Sequence, residues 1–147
     1  MRLCRGIEAL RPAEPVRFIL MSSVSVNHPG GVETRRGALE KAVVWALRGL
    51  LPPARDNQRA ADFLHASIGA SHPYVQWTAV RPDSLLEGGA SKYALHEGLV
   101  SSIFAPDGTN MANVAHFMNE LATNPGTWAD WKGKLPVIVN DGPRVMG

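Results

Sequence analysis

The 147-residue sequence has only one cysteine, Cys4. A single cysteine excludes an internal disulfide and a thiolate zinc cluster, and it agrees with a reducing compartment. Basic runs are also lacking, because the 15 lysines and arginines are scattered and nearly balanced by 13 acidic residues. Without a basic stripe that could follow a phosphate backbone, we expect no nucleic-acid partner.

Long apolar runs are absent as well. The most apolar helical window, AVVWALRGLL at 42–51, is far below the ~20 residues needed to cross a bilayer and contains Arg48. Near the N-terminus, Gly6, Glu8 and Arg11 interrupt any run of signal-peptide length. We therefore expect no membrane partner and a cytoplasmic protein, with a single domain over residues 1–147.

The sequence does contain short apolar runs separated by helical patterns. The predicted strands are VRFILM (16–21), VQWTAVRP (75–82) and LPVIVN (135–140). Apolar spacing predicts helices over 2–11, 36–51, 56–67 and 108–124. Pro52 and Pro53 would stop the second helix, Asp56 would cap the third, and Thr109 or Asn110 the fourth.

The segments around Gly98 have a different pattern. SKYALHE (91–97) and LVSSIF (99–104) are short and extended, which suggests a hairpin.

Trp128 and Trp131 are interpreted as a packing cluster over the last strand. Strands separated by helices predict an α/β fold with a mostly parallel sheet, in which ligands bind beyond the carboxyl ends of the strands.

Four stretches, in this order, resemble the atypical and extended short-chain dehydrogenases/reductases, including NmrA-like proteins: RFILMSSVSV, DNQRAADFLHAS, VQWTAVRPDSL and GTNMANVAHFM. The resemblance covers nearly all of residues 2–140. It implies a Rossmann-like, three-layer α/β fold and an NAD(P) cofactor, with NADP as the expected form.

The motifs at the start of that family's fold are lacking. Gly30-Gly31 and Gly88-Gly89 do not have the spacing of the Gly-rich turn that holds the pyrophosphate. The resemblance therefore implies that the chain is the C-terminal portion of a Rossmann domain whose Gly-rich half is missing. Without that half, no tightly bound cofactor is expected on this chain alone.

The family's Tyr-x-x-x-Lys is also missing. Tyr74 and Tyr93 are each followed four residues later by a residue other than lysine, and the family's Lys position falls on Asn57. Asn57 is either a contact for the cofactor ribose or an ordinary helix residue. The usual form of proton transfer is not available without the phenol and the ammonium.

Other candidate residues lie after the predicted strands. Ser22 and Ser23 are either cofactor or substrate contacts, and weak catalytic candidates, or hydroxyls that cap a strand end. His28 is either a general acid or a surface histidine. Arg81, Pro82 and Asp83 would shape the nicotinamide end of a complete pocket, or simply end a buried strand; the spacing of the remaining histidines gives no metal site.

The sequence does not distinguish between three functions. The chain is an NAD(P)-binding oxidoreductase-like protein, or a fragment of one, acting on an unknown small molecule. Alternatively it is a noncatalytic dinucleotide-binding redox sensor or regulatory module, or it has no activity by itself. If the first half of the sheet is missing, VRFILM is left as an open apolar edge, so we expect a homodimer through that edge or aggregation.

Overall fold

The computed structural model describes residues 2–29, 37–50, 52–102 and 104–142. In chain order the elements are α1 (Arg2–Leu10), β1 (Val16–Met21), α2 (Ala38–Leu50), α3 (Pro52–Phe63), β2 (Val75–Pro82), β3 (Ser84–Leu86), β4 (Tyr93–His96), β5 (Gly108–Asn110), α4 (Met111–Thr123), α5 (Pro125–Trp131) and β6 (Val137–Asn140). A π-helical turn, Leu64–Ile68, continues α3.

The central sheet has four strands in the order β1-β2-β6-β4. β1 is parallel to β2 from Val16↔Val75 to Met21↔Val80, and β2 is parallel to β6 at Arg81↔Val137. β4 runs antiparallel to β6. The predicted α/β class with a mostly parallel sheet is confirmed, and the carboxyl ends of β1, β2 and β6 lie at one edge of the sheet.

Helices cover both faces of this sheet, because β2 is apolar on both sides. On one face, Trp77 and Ala79 pack in a buried cluster with Cys4 of α1 and Ala61 of α3. On the other, a second buried cluster joins the strands to α4 and α5: Val80, Val114, Phe117, Leu121, Trp128 and Ile138. The result is the three-layer arrangement that the sequence predicts, and Trp128 and Trp131 pack against the sheet as expected.

β1 is less covered than a central strand. Val16 and Met21 are 39% and 51% exposed, and Ile19 and Leu20 are only half-buried. Within the described residues β1 has one strand neighbour, β2, so it forms a lateral edge of the sheet. The run at 16–21, which is apolar apart from Arg17, therefore belongs to an edge strand, although its composition is typical of an interior one.

The start of α3 differs from the prediction. The helix begins at Pro52, so Asp56 lies within it and is not its cap. Proline is favoured in the first turn because its missing N–H has no helical partner to lose there. The prolines therefore begin α3 and also follow the end of α2. The predicted ends of α2, at 36 and 51, lie outside the described residues, as do Gly30 and Gly31.

The hairpin predicted around Gly98 is wrong. β4 pairs with β6, which is distant in sequence, from Tyr93↔Asn140 to His96↔Val137. The described residues of 99–104 contain no strand, only an isolated bridge between Ser102 and Ala105. The backbone hydrogen-bonding groups of β4 are therefore paired with the distant strand β6 and not with the neighbouring segment 99–104.

Three further elements differ from the sequence-based boundaries. The predicted helix at 108–124 begins at Met111 with Asn110 as its N-cap, because 108–110 form β5 in a small parallel sheet with β3. The predicted strand at 135–140 is shorter and starts at Val137. α5 was not predicted, although Asn124 caps it by accepting hydrogen bonds from the N–H groups of Gly126 and Thr127.

Candidate functional site

Three parallel strands deliver polar residues to the same edge of the sheet. Ser22 follows β1, Asp83 follows β2, and Asn140 ends β6. Because these strands are parallel and in the registers given above, their carboxyl ends form a single edge. In open α/β sheets this edge is where ligands bind.

Ser22 is the residue there whose hydroxyl has no assigned role in the fold. Its N–H donates to the carbonyl of Val80 at 2.7 Å, which extends the β1–β2 ladder by one step. The side chain is 7% exposed, and its Oγ has no hydrogen-bond partner among the described residues. A buried hydroxyl without a partner costs roughly 1–3 kcal/mol, so Ser22 Oγ is the polar atom of this edge whose hydrogen-bonding capacity the described residues leave unused.

Ser23 is engaged by its own loop. Its Oγ accepts a hydrogen bond from the N–H of Ser25 at 3.2 Å, and its carbonyl accepts one from Val26 at 3.0 Å. Val24 donates from its N–H to the carbonyl of Pro82. This is a Ser turn that ends β1 and fastens the following loop to β2, so the two adjacent serines have different environments.

Arg81 is wholly buried and acts as a clamp between three segments. Its Nε donates to the carbonyl of Leu135 at 2.9 Å, and its two terminal nitrogens donate to the carbonyls of Val26 and Glu97, each at 3.2 Å. The guanidinium thus joins the loop after β1, the residue after β4 and the segment before β6. Sequence reasoning placed Arg81 near a cofactor but did not predict this role.

Asp83 is also buried and organises the loops beyond β2. Its carboxylate accepts hydrogen bonds from the N–H groups of Ser84 (2.8 Å) and Asp107 (3.1 Å) and from the hydroxyl of Ser101. Thr109 Oγ1 accepts from the Asp83 N–H and donates to the carbonyl of Ile138 at 2.7 Å. Asp83 therefore fixes the geometry of this edge, with its carboxylate oxygens already engaged by the protein.

His28 lies in the loop that follows β1, and Asn57 lies on α3, one residue before Gln58. The His28 ring is 5.8 Å from that of His65, edge to face, and Asn57 is half-buried on α3. The neighbouring residue, Gln58, holds this loop: its Oε1 accepts from the Asn27 N–H at 2.8 Å, and its Nε2 donates to the Asn27 carbonyl at 3.2 Å. Sequence reasoning missed Gln58, because nothing local indicates a partner 31 residues away.

A network of side-chain amides at the end of β6 was missed as well. Asn140 Oδ1 accepts from the Asn110 N–H at 2.9 Å and from Asn113 Nδ2 at 2.8 Å, while Asn113 Oδ1 accepts from the Ser91 N–H. The network fastens the loop before β4 to the start of α4. Asn113 is completely buried, and with these bonds its side chain has a structural role.

Two ionisable groups near this region have shifted pKa values. Burial, reinforced by the negative charge of Glu120, raises the pKa of Tyr93, whose hydroxyl is 2.9 Å from His116 Nδ1. A hydrogen bond from Lys134 Nζ at 2.6 Å, together with its charge, lowers the pKa of Glu97. A raised tyrosine pKa opposes formation of the phenolate, so Tyr93 is not primed as a base in this structure.

The described part of the chain contains no group of three or more His, Cys, Asp or Glu side chains placed to hold a metal ion. No helix within those same residues is long and apolar enough to cross a membrane.

Comparisons with known proteins show likeness at the level of the fold. No family model and no curated protein matches the sequence. The solved structures that resemble it include chuY from E. coli CFT073, with 17% identity and a TM-score of 0.51 over 86% of this chain and 57% of that one. A protein described as an NAD-dependent epimerase/dehydratase, from Bacillus halodurans, has 19% identity and a TM-score of 0.55, covering 95% and 53%.

The oxidoreductase ylbE from Lactococcus lactis is similar at 19% identity and a TM-score of 0.51, over 86% of this chain and 47% of that one. The chain thus spans about half the length of the solved structures it matches. The class that the fold defines is a Rossmann-like α/β protein.

Proposed function

We propose that this chain is an NAD(P)-binding oxidoreductase-like protein that supplies the nicotinamide and substrate side of a dinucleotide site. Ser22 carries the proposal: its buried Oγ lacks a described partner at the carboxyl edge of a Rossmann-like sheet. Two structural neighbours, described as an NAD-dependent epimerase/dehydratase and as an oxidoreductase, agree with this chemistry. The substrate would be a small molecule.

The residues at the edge fit only part of a dinucleotide. Ser22 Oγ can hydrogen-bond a polar atom of the nicotinamide end or of a substrate. The pyrophosphate needs amides of a Gly-rich turn at a helix N-terminus. β1 and β2, as described, end instead in the Ser23 turn and in the loop fixed by Asp83. We infer that the chain corresponds to the C-terminal portion of a dinucleotide-binding domain, and we derive no reaction step through the cofactor.

Titration with two ligands tests this assignment. Reduced nicotinamide mononucleotide carries the nicotinamide end alone, whereas NADPH adds the rest of the dinucleotide. For a site that contacts only the nicotinamide end, calorimetry should give weak and similar affinities for both. A micromolar Kd for NADPH would contradict the proposal, because about 8 kcal/mol is hard to reach without phosphate contacts.

Two serine variants separate a ligand contact from a structural hydroxyl. Ser22→Ala should weaken mononucleotide binding and raise the free energy of unfolding of the unliganded chain by about 1 kcal/mol, since it removes an unsatisfied group. Ser23→Ala is the matched control and should lower stability slightly, because its turn loses the bond to Ser25. Loss of stability in Ser22→Ala with unchanged binding would mean that the Ser22 hydroxyl is structural.

A noncatalytic redox sensor is the second candidate function. It is favoured by the absence of Tyr-x-x-x-Lys and by the position of Asn57 where the resemblance expects lysine. Both candidates bind the nicotinamide group, but only an enzyme converts a substrate to product. Rapid NADPH-dependent reduction of simple carbonyl compounds, abolished in Asn57→Ala or Ser22→Ala but not in Ser23→Ala, would favour the enzyme and show that catalysis persists without the tyrosine and lysine.

A further inference from the structure

A cavity of about 360 Å³ lies between α3, α1 and the face of β1 that carries Phe18 and Leu20. We name it the α3 cavity, defined by its apolar lining residues Cys4, Phe18, Leu20, Ala60, Phe63 and Leu64. Its volume falls in the range of small-molecule sites, roughly 300–1,000 Å³. Water in the α3 cavity finds few hydrogen-bond partners because most of the lining is apolar, so an apolar ligand can displace it favourably.

Aromatic side chains contribute from two different elements. Phe18 comes from β1 and Phe63 from the end of α3, so a flat ring placed in the cavity would contact phenyl groups from the sheet and the helix. Aromatic pairs in offset or edge-to-face geometry add about 0.5–1.5 kcal/mol to simple area burial. The chamber therefore favours an aromatic body over a purely polar ligand.

The polar lining consists of two residues of α3, Asp56 and Arg59. Their described contact is an ion pair of 4.0 Å between Arg59 Nη1 and Asp56 Oδ1, longer than a hydrogen bond, with both side chains largely exposed. Arg59 therefore keeps N–H groups for another acceptor. A guanidinium presents them in a planar fork that matches a carboxylate.

We propose that the α3 cavity binds a small aromatic carboxylate, with the ring among the apolar side chains and the carboxylate on the Arg59 guanidinium. Asp56 opposes this ligand, because it is a like charge and competes for the same arginine. The site is formed by mid-strand residues of β1 and does not include Ser22 or the other carboxyl-edge residues. The proposal goes beyond dinucleotide binding and does not require it.

Two probes of the same shape test the role of charge. 1-Naphthoate carries a carboxylate and 1-naphthamide an uncharged amide, and ligand-observed NMR with the full chain reports the affinity of each. Naphthoate should bind more tightly. Arg59→Gln should weaken naphthoate about two- to fivefold and leave naphthamide unchanged, as expected for one exposed charge pair. Asp56→Asn should strengthen naphthoate by a similar factor.

Arg55→Gln is the matched control, since Arg55 is an exposed arginine of α3 that does not line the cavity. It should leave both probes unaffected. Ala60→Phe fills the chamber and should reduce the affinity for both probes at least tenfold, with a urea titration to confirm that the variant unfolds cooperatively. If Ala60→Phe does not fold, Arg59→Gln and Asp56→Asn still decide against the Arg55→Gln control, because all three changes are at exposed side chains.

Equal affinities of naphthoate and naphthamide in all charge variants would overturn the proposal. It would also be wrong if Ala60→Phe changed the sedimentation of the chain but not probe binding, since the cavity would then be covered by a second copy. Failure of naphthoate binding together with normal binding of reduced nicotinamide mononucleotide would reject this site and leave the proposed function intact.

Discussion

Gln58 of α3 holds Asn27 by both of its backbone polar groups, accepting from the N–H at 2.8 Å and donating to the carbonyl at 3.2 Å. The same Nε2 also donates to Asp62 Oδ1 at 2.8 Å. One side chain thus fixes the loop after β1 to the helix that packs over the sheet. Gln58 therefore holds the far end of this loop, whose beginning is held by the bonds of Ser22 and Val24 to β2.

Gln58→Glu is expected to release the loop. The carboxylate could still accept from the Asn27 N–H, but it would lose the bond to the carbonyl and face the negative Asp62. We expect a loss of about 1–2 kcal/mol in the free energy of unfolding, measured in urea, and faster hydrogen exchange over residues 24–28.

Gln76→Glu is the matched control for that prediction. Gln76 Oε1 only accepts, from Trp128 Nε1 at 2.7 Å, and a carboxylate can accept equally well. Its stability should change by less than about 0.5 kcal/mol. Equal losses in the two variants would indicate a general cost of added negative charge, contrary to a specific role of the Gln58 amide.

The sequence predicted the central strands well for a physical reason. VRFILM and VQWTAVRP are too short for independent helices and too apolar for loops, so burial in a sheet is the remaining option. Burial does not specify neighbours, however. The pairing of β4 with β6 depends on contacts distant in sequence, and the short strands β3 and β5 carry no alternating pattern. The edge position of β1 was expected, but from the family resemblance and not from the composition of the strand.

The same limit applies to the candidate site. The serines were correctly expected at the carboxyl end of β1, because strand length determines where the strand ends. Which hydroxyl is engaged depends on the turn geometry of Ser23, and the clamp by Arg81 depends on carbonyls 16 to 55 residues away. α5 is different: Asn124 followed by Pro125 is a local helix start that could have been recognised.

Arg81→Met should destabilise the chain by about 2–3 kcal/mol or more, since it leaves the buried carbonyls of Val26 and Leu135, and the partly buried carbonyl of Glu97, without their charged donor. Arg81→Lys should also be destabilising, because one ammonium on a flexible stem does not reproduce the planar fork. Urea unfolding without ligand measures both, with Arg55→Gln as a surface control expected within about 0.5 kcal/mol. A side chain that served only a cofactor would leave the stability of the unliganded chain nearly unchanged.

The Glu97–Lys134 pair should make stability depend on pH in acid. The folded pKa of Glu97 is lowered from its ordinary value of 4.5 by the Lys134 hydrogen bond and charge. The contribution of the ionised Glu97 to stability is therefore fully present above pH 4.5, and it disappears as the pH falls through the lowered pKa of the folded state. Wild type should exceed Glu97→Gln in stability at pH 7, and the two should converge well below pH 4.5.

The exposed Glu87 provides the comparison. Glu87→Gln should give no such pH-dependent difference from wild type. NMR titration should also show that Lys134→Met raises the pKa of Glu97 towards 4.5. A Glu97 pKa unchanged by that substitution would contradict the assigned cause.

The outer edge of β1 has no strand paired with it among the described residues. The N–H groups of Val16 and Ser22 donate towards β2, so in a parallel ladder the backbone groups of the intervening Arg17, Ile19 and Met21 face the other way. The charge of β1 does not protect this edge, because the Arg17 guanidinium donates to the carbonyl of Ala122 at 3.0 Å and lies over the Trp128 ring. An apolar edge of this kind recruits another strand.

We therefore expect the 147-residue chain to associate through β1 at micromolar concentration, as a dimer or as larger aggregates. Met21→Lys places a charge at the 51% exposed end of the strand and should shift the chain towards monomer without loss of core packing. Met111→Lys is the control, because Met111 is similarly exposed at 48% but lies at the start of α4. Light scattering measures the association state of both variants. A monomeric wild type with a cooperative melt would show that the β1 edge does not drive association, and so would equal effects of the two lysines.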